Sequence, residues 1–500
     1  MKDKLSNTIN LVWPNDYKSG SAVLPPLGLG YIASYLIKQG LNIRIYDYTF
    51  NSNLELSKER AIYGVSITTP ILNIAEKVIK KIKEINKNNI IIVGGVHATN
   101  MPQQLINNKD IDYLIFGEGE KTFYNLCNTI LKNESVKNIP GVYYKDNKVV
   151  HFTGAAEFIE NLDELPFPNY DLFPIQTYIK SKPIKELNII TSRGCPFNCI
   201  FCQPYLKKMF GNKIRYRSPK NVVDEIEQLK KKYNPDIFFF CDDMVNPNYI
   251  ENLCKEFINR KLRIIWRCQA RACLDKKLLK LMKKAGCVNI AFGVESGSQK
   301  ILNAINKSLR IEDVIKQFND CRKVGIFTHA FLMVGNPTEN MDDVNKTIEL
   351  VKKIKPFSIY VSITTPYPGT YLFNQLQNEK KLPEKIDWSS MHHLKDDTFY
   401  IDISDMSKEE IVKAKHLILD SFKNSSKLSR SYYIISYIKN WDGIKNIFFF
   451  MINHPFVIFN VLKTFISISK SGSGLDATNP ESDFFDKKNN KNILQVKNYD

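Results

Sequence analysis

A chain of 500 residues is too long for one ordinary domain, and with 43% hydrophobic and 12% aromatic residues it can build the cores of two or three. Its 70 Lys and Arg against 52 Asp and Glu give a formal charge of +18, but the basic residues are interleaved with acids and no nucleic-acid-binding module is recognisable. The first residues run straight into an apolar stretch without a signal-peptide h-region, so the chain is expected in the cytoplasm, where ten cysteines are thiols or metal ligands rather than a disulfide framework.

Residues 1–140 alternate between strand-like and helix-like segments. A short apolar run at 8–13 is followed by a helical pattern over 24–40, ended by Gly40. Residues 42–48 alternate with period two, 61–67 read as a buried strand, and 71–86 carry apolar residues at helical spacing. Segments 90–98 and 111–120 are strands running into glycine turns. This alternation predicts an α/β, Rossmann-like doubly wound domain with ligands beyond the carboxyl ends of its parallel strands. Residues 141–180 read as a connector: a hairpin over 141–152 turning at Asp146-Asn147, then a linker at 162–174 rich in proline and aromatics.

A second alternating series has strand candidates at 186–191, 236–241, 263–268, 288–293, 326–335 and 358–364. It predicts a partial (β/α)6 TIM-like barrel over 181–375, with chemistry at the C-terminal strand ends. Residues 376–470 read as mostly helical, and Ser407 with Glu410 forms a capping box at the head of 407–422. The apolar stretch 447–468 is broken by Asn453, His454, Pro455, Asn460 and Lys463, so it falls short of a membrane span. It reads as a buried helical hairpin, an interfacial helix or a lid over a greasy substrate. The tail 471–500 reads as disordered.

The strongest chemical signal is TSRGCPFNCIFCQ at 191–203, which sets Cys195, Cys199 and Cys202 on a glycine-containing loop after a strand. Thiolates suit an iron–sulfur cluster or zinc, and a zinc site lacks a fourth ligand in this loop. Three ligands on a 4Fe-4S cluster leave one iron open to bind a substrate directly. Cys127, Cys241, Cys254, Cys287 and Cys321 sit among apolar residues and read as small buried hydrophobes.

The loop resembles the signature of the radical S-adenosylmethionine (radical SAM) superfamily, CxxxCxΦC with an aromatic Φ, here Phe201. The resemblance implies that the open iron chelates the amino and carboxylate groups of S-adenosylmethionine. One electron from an external flavodoxin- or ferredoxin-type reductant then breaks a sulfur–carbon bond, and the 5′-deoxyadenosyl radical takes hydrogen from a small-molecule substrate. It further implies that Phe201 packs by the adenine and that Asp242 or Asp243, ending the second barrel strand, holds the amino group. Arg267 or Arg271, after the third strand, would hold the carboxylate, and Glu295 in AFGVESGSQ the ribose. The acids equally suit a helix cap, and the arginines a solvated surface. Gly335 lies in FLMVGNPTE, where Asn336 and Thr338 replace the family's commoner residues, and Pro368 in TPYPGT. These matches span roughly residues 186–370.

The N-terminal region resembles the cobalamin-binding domain that precedes this barrel in one large subclass, through residues 25–36, 63–70, 93–99 and 116–120. Small residues at strand ends, Ser66, Thr68, Gly94 and Gly95, would let a flat corrin approach the backbone, with Gly117, Glu118 and Gly119 in the GEGE turn nearby. The DxHxxG pattern whose histidine ligates cobalt in other cobalamin proteins is missing, which implies cobalamin bound without a protein histidine; His97 reads as pocket lining or structural. The whole resembles a cobalamin-dependent radical SAM enzyme. The leading reaction is C-methylation of an unactivated carbon: a substrate radical takes methyl from methylcobalamin, and a second S-adenosylmethionine remethylates the cobalt. A radical oxidative cyclase or rearrangement enzyme of the same subclass is the alternative, and a non-catalytic cofactor-binding sensor a third. The apolar segment 440–470 points to a hydrophobic or lipid-like substrate and to contact with a membrane surface.

Overall fold

The computed structural model describes residues 4–15, 24–181, 184–202, 205–393, 395–398, 400–401 and 403–438. In the N-terminal domain, β1 (Thr8–Trp13), β2 (Asn42–Asp47), β3 (Ile62–Ser66), β4 (Ile90–Gly94) and β5 (Tyr113–Ile115) run parallel in the order β2-β1-β3-β4-β5. Strand order reverses at β1/β3, where doubly wound sheets open a crevice for ligands. Successive side chains serve opposite faces. Ile9, Leu11 and Ile92 pack with Leu29, Leu36 and Phe123, whereas Val12, Tyr63 and Val65 pack with Val78 and Ile82. A Cβ on Gly64 would stand 2.5 Å from the Phe123 ring, so this strand position admits no side chain.

The expected hairpin is part of this sheet rather than of a connector. β6 (Val142–Asp146) pairs antiparallel with β5 and with β7 (Val149–Phe152), which makes the sheet seven-stranded. The turn falls on Asn147 and Lys148, at φ +49° and +68°, one residue later than expected. Positive φ at both central residues is what a tight hairpin of the right twist requires.

After β8 (Glu186–Ile189), the short β9 (Ser192–Arg193) and β10 (Arg215–Tyr216) form an antiparallel ladder. β11 (Ile237–Phe240), β12 (Trp266–Ala270), β13 (Cys287–Glu295), β14 (Phe327–Val334) and β15 (Ser358–Ile363) complete a six-stranded sheet in the order β8-β11-β12-β13-β14-β15. Every neighbouring pair is parallel and the order follows the chain, the topology of a partial (β/α)6 barrel. β12 begins three residues later than the 263–268 expected from its apolar run, because Ile264 is buried in the approach to the sheet, against Gly286.

The helix Lys408–Ile438 closes the described chain. Its capping box is present: Glu410 N donates to Ser407 Oγ (3.2 Å) and Ser407 N to Glu410 Oε2 (2.8 Å). Ile411, Ala414, Ile418 and Phe422 are buried in the same core as Val344 and Leu350 of the helix Met341–Ile354. Among the described residues no helix is long and apolar enough to cross a membrane. The segments 447–468 and 471–500 lie outside the described residues.

Candidate active site

Two carboxylates at the end of β11 set the entry of the cysteine loop. Asp242 accepts three hydrogen bonds of 2.7 Å, from Thr191 N, Thr191 Oγ1 and Ser192 N, and is buried. Its oxygens are thus committed to the chain, so Asp242 anchors the loop rather than standing open for a cofactor's amino group. Asp243 accepts from Gly194 N at 3.1 Å and faces an adjoining cavity. Gly194 sits at φ +97° with its Cβ position 2.9 Å from Lys213 O, a bend only glycine makes freely.

Cys199 is buried, and Cys195 and Cys202 are half-buried. The loop is pinned by Ile200 N to Ile305 O (3.1 Å) and Asn306 Nδ2 to Asn198 O (3.0 Å). Burial first, then Cys195 and Cys199, pushes the Cys202 thiol up to about 12. Three thiolates here therefore need nearby positive charge, which the irons of a cluster supply, so the donor set fits one. Among the described residues, no trio of His, Cys, Asp or Glu suits a single metal ion. Thiolates on separate irons of a cubane stand farther apart than ligands of one ion.

Arg271 Nη1 donates towards Cys199 Sγ at 3.9 Å, and its guanidinium stacks on Phe197 at 3.7 Å. Its Nη2 holds the carbonyls of Lys307 and Ser308. Glu295 ends β13 beyond a register shift, at φ +65°, and Lys307 Nζ donates to its Oε1 at 2.6 Å. Lys307 also lies 5.8 Å from the Phe201 ring centre, so it joins Glu295 to the cysteine loop. Sequence reasoning missed Lys307, whose only signal is its place twelve residues after Glu295.

Arg267 is not at this rim. It lies on β12, four residues before Arg271, where its Nε donates to Glu186 Oε2 (2.5 Å) and its guanidinium covers Phe239 (3.9 Å). The early expected start of β12 had set both arginines beyond the strand. Gly335 and Pro368 fall in the turns after β14 and β15. There Asn336 N donates to Glu339 Oε2 (3.0 Å) and Thr364 Oγ1 to Asn336 Oδ1 (3.0 Å), so the unusual asparagine ties the two turns together.

A cavity with about 1020 Å³ of empty space separates the two domains. One wall holds the strand-end residues Ser66, Gly94, Gly95, Gly117, Glu118 and Gly119 together with apolar residues such as Leu29, Ile115 and Phe123. The other wall carries Ser192, Arg193, Cys241 and Asp243, at the root of the cysteine loop. Cys241 is therefore a lining residue, not merely a buried hydrophobe. Thr68 and His97 lie outside the lining. His97 is buried, with Nδ1 3.1 Å from Thr69 Oγ1 and Nε2 3.2 Å from Gln104 Oε1, and burial pushes it down to about 4. Both ring nitrogens are engaged, so His97 is structural.

Glu118 also departs from expectation, because its carboxylate is spent on the opposite domain. It accepts from Arg193 (2.7 Å) and from Arg215 (2.9 and 3.1 Å), while Glu120 accepts from Arg193 (2.5 Å). All four side chains are buried. Burial opposes charge on Glu118, but Arg193 and Arg215 hold its carboxyl below the usual value. Arg193 lies two residues before Cys195, so this clamp ties the GEGE turn to the cysteine loop.

A doubly wound domain whose crevice opens onto a three-cysteine barrel loop defines a two-cofactor class of enzyme. Comparison with known proteins agrees. The model of the radical SAM superfamily matches residues 189–351, and that of the B12 binding domain residues 19–127. An uncharacterized methyltransferase of Pyrococcus horikoshii is 31% identical over 455 residues, covering 89% of this chain and 94% of that protein. The anaerobic magnesium-protoporphyrin IX monomethyl ester cyclase of Rubrivivax gelatinosus is 30% identical over 389 residues, 73% of this chain and 69% of the cyclase. Among solved structures, the radical S-adenosylmethionine methyltransferase TsrM from Kitasatospora setae, with cobalamin and a [4Fe-4S] cluster bound, shares the fold. Its TM-score is 0.65 at 18% identity, covering 75% of each chain. This chain belongs to the radical SAM proteins that carry a B12 binding domain.

Proposed function

We propose that the protein is a cobalamin-dependent radical SAM methyltransferase acting on an unactivated carbon of a small organic molecule. The observation that carries this reading is the interdomain cavity, which sets the small strand-end residues of one domain opposite the root of the cysteine loop of the other. When bound, the cluster supplies the electron that cleaves S-adenosylmethionine to a 5′-deoxyadenosyl radical, and cobalamin supplies the methyl group. Cys195, Cys199 and Cys202 hold the cluster, and Arg271 donates a hydrogen bond towards the Cys199 sulfur. Phe201 and Glu295, joined through Lys307, form the rim for adenine and ribose. Gly335 and Pro368 would serve S-adenosylmethionine from the turns after β14 and β15, and Asp243 and Arg193 line the cavity that would hold the corrin. Gly94, Gly95 and Ser66 would lie against the corrin, and among the described residues no histidine lines the cavity, the ring of His97 being engaged elsewhere. The protein's task is positioning and exclusion of water.

All ten cysteines are free, which suits a reducing compartment and, with it, a cytoplasmic reductant of flavodoxin or ferredoxin type. A lipid-like substrate and membrane-surface contact rest on the composition of residues 440–470 alone. Deleting that segment with lipid binding and turnover unchanged would remove both. The similarity to a protein named as a cyclase favours one second reading, radical ring formation on the same cofactors. Product mass separates them, since methylation adds a methylene and cyclisation removes two hydrogens.

The test is anaerobic reconstitution with iron, sulfide and hydroxocobalamin, followed by reduction with S-adenosylmethionine present. Release of 5′-deoxyadenosine is expected, and Cys195→Ala is expected to abolish it; undiminished release by that variant would end the reading.

A further inference from the structure

The inner face of the barrel sheet differs from its outer face. Outward-pointing Phe238, Trp266, Ile290 and Val361 are buried beneath the helices, whereas inward-pointing Arg267, Asn289, Phe331 and Tyr360 keep partial exposure. The inner face is thus mixed, with Phe239, Ala291 and His329 buried beside these half-buried side chains.

At the N-terminal end of the lumen, two polar side chains converge among aromatic rings. Arg267 spends its Nε on Glu186, and among the described residues its Nη atoms have no partner. His329 on β14 is 9% exposed, with the Phe331 and Tyr360 rings edge-on to it at 4.7 Å each. Its Nδ1 lies 2.8 Å from Ser358 Oγ, the ring's hydrogen-bond partner among the described residues. With the Ser358 hydroxyl donating to Nδ1, one of the two tautomers this contact allows, the ring proton stands on Nε2. Burial, then the charge of Arg267, pushes His329 down to about 3, so the ring is neutral and within the field of that guanidinium. Nε2 is buried with no hydrogen-bond partner. A buried ring nitrogen without a partner is costly, and in the Nε2–H tautomer an oxyanion shared with the part-exposed Arg267 guanidinium would satisfy it.

We propose that this end of the lumen binds an anionic group of the organic substrate, a carboxylate or a phosphate, on Arg267 Nη and His329 Nε2, with Phe239, Phe331 and Tyr360 as walls. The proposal rests on the catalytic reading of the barrel given above. Arg267 lies four residues below Arg271, ~13 Å along an extended strand. The substrate is therefore elongated, with its reacting carbon near the cysteine loop and its anion at the far end.

The test is saturation-transfer NMR on the full-length, cluster-loaded protein, with benzoate and phenyl phosphate as probes and benzyl alcohol as the neutral control. One anion is expected to bind and the alcohol not; the preferred anion tells carboxylate from phosphate. Arg267→Gln is expected to weaken that anion about tenfold or more. His329→Phe keeps the Glu186–Arg267 pair, so it answers for a fold lost in the first variant, and it is expected to weaken the anion severalfold. S-adenosylmethionine affinity is expected to be unchanged in both. Binding of neither anion, equal binding by both variants, or loss of S-adenosylmethionine affinity with the anion retained would overturn the proposal. Anion binding without 5′-deoxyadenosine release would instead remove the catalytic reading and leave this site standing.

Discussion

The two walls of the interdomain cavity are built on opposite principles. The N-terminal wall offers Gly94, Gly95, Gly117 and Gly119 among apolar side chains such as Leu29, Ile115 and Phe123, so a ligand there meets main chain and hydrocarbon. The barrel wall offers Arg193, Cys241 and Asp243, so a ligand there meets charge and sulfur. A planar macrocycle suits the first kind of surface, because the glycines let it approach the main chain and the apolar side chains pack on its faces and edges. A metal cluster needs specific ligand atoms, which Cys195, Cys199 and Cys202 offer on the loop that continues from this second wall. The cavity brings the two together, and the Glu118–Arg193–Arg215 clamp fixes their separation.

If this contrast is right, filling one wall must leave the other intact. Gly94 has an ordinary φ and its Cβ position meets Ile115 at 3.9 Å, an ordinary contact, so a side chain there is tolerated by the fold and enters the cavity lining. Gly94→Leu is expected to fold and to load its cluster normally. Its cobalamin affinity should fall by about a hundredfold or more, as overpacking costs ~1–3 kcal/mol and lost corrin contacts add to it. Equilibrium dialysis against hydroxocobalamin checks this; unchanged affinity would place the corrin elsewhere.

Breaking the clamp should affect both walls at once. Glu118→Ala leaves buried Arg215 with carbonyl partners only and takes one of two carboxylates from Arg193, and breaking such a buried pair costs about 3–5 kcal/mol, read by urea unfolding. The sign of the pH dependence follows from the depressed carboxyl of Glu118. Its contribution is fully present above the unfolded value near 4.5 and is lost as pH falls through the lower folded value. Wild type should lose stability over that acid range more steeply than Glu118→Ala.

Asp242→Asn should act on the barrel wall alone. It removes an acceptor for Thr191 Oγ1 and is expected to cost about 1–3 kcal/mol, and to speed cluster loss to a chelator followed by absorbance. The smallest effect belongs to neither wall: Ser407→Ala should cost ~1 kcal/mol through the capping box and leave both cofactors bound.

What the sequence made legible follows from how locally each feature is encoded. The cysteine triad spans eight residues and the capping box four, so spacing alone exposes them. The doubly wound order and the parallel barrel were readable from alternating periodicities. The clamp was not, because Glu118 and Arg193 stand 75 residues apart and neither breaks a pattern. Glu118 was instead grouped with its glycine neighbours as a cofactor contact. Arg267 was misplaced for a related reason: the apolar pair Ile264 and Ile265 drew the expected start of β12 three residues early. An apolar run marks a strand but does not fix its register. The hairpin's membership in the N-terminal sheet rests on pairing with β5, which no local signal reports.

The central claim, that a corrin in this cavity lies next to a cluster held by Cys195, Cys199 and Cys202, is tested most directly by their magnetic interaction. In the reconstituted protein, with cobalt as cob(II)alamin and the cluster reduced, pulsed EPR is expected to show spin coupling between the two centres. That coupling should disappear in Gly94→Leu, while the cluster signal persists. Cobalamin bound with no coupling to the cluster would contradict the account.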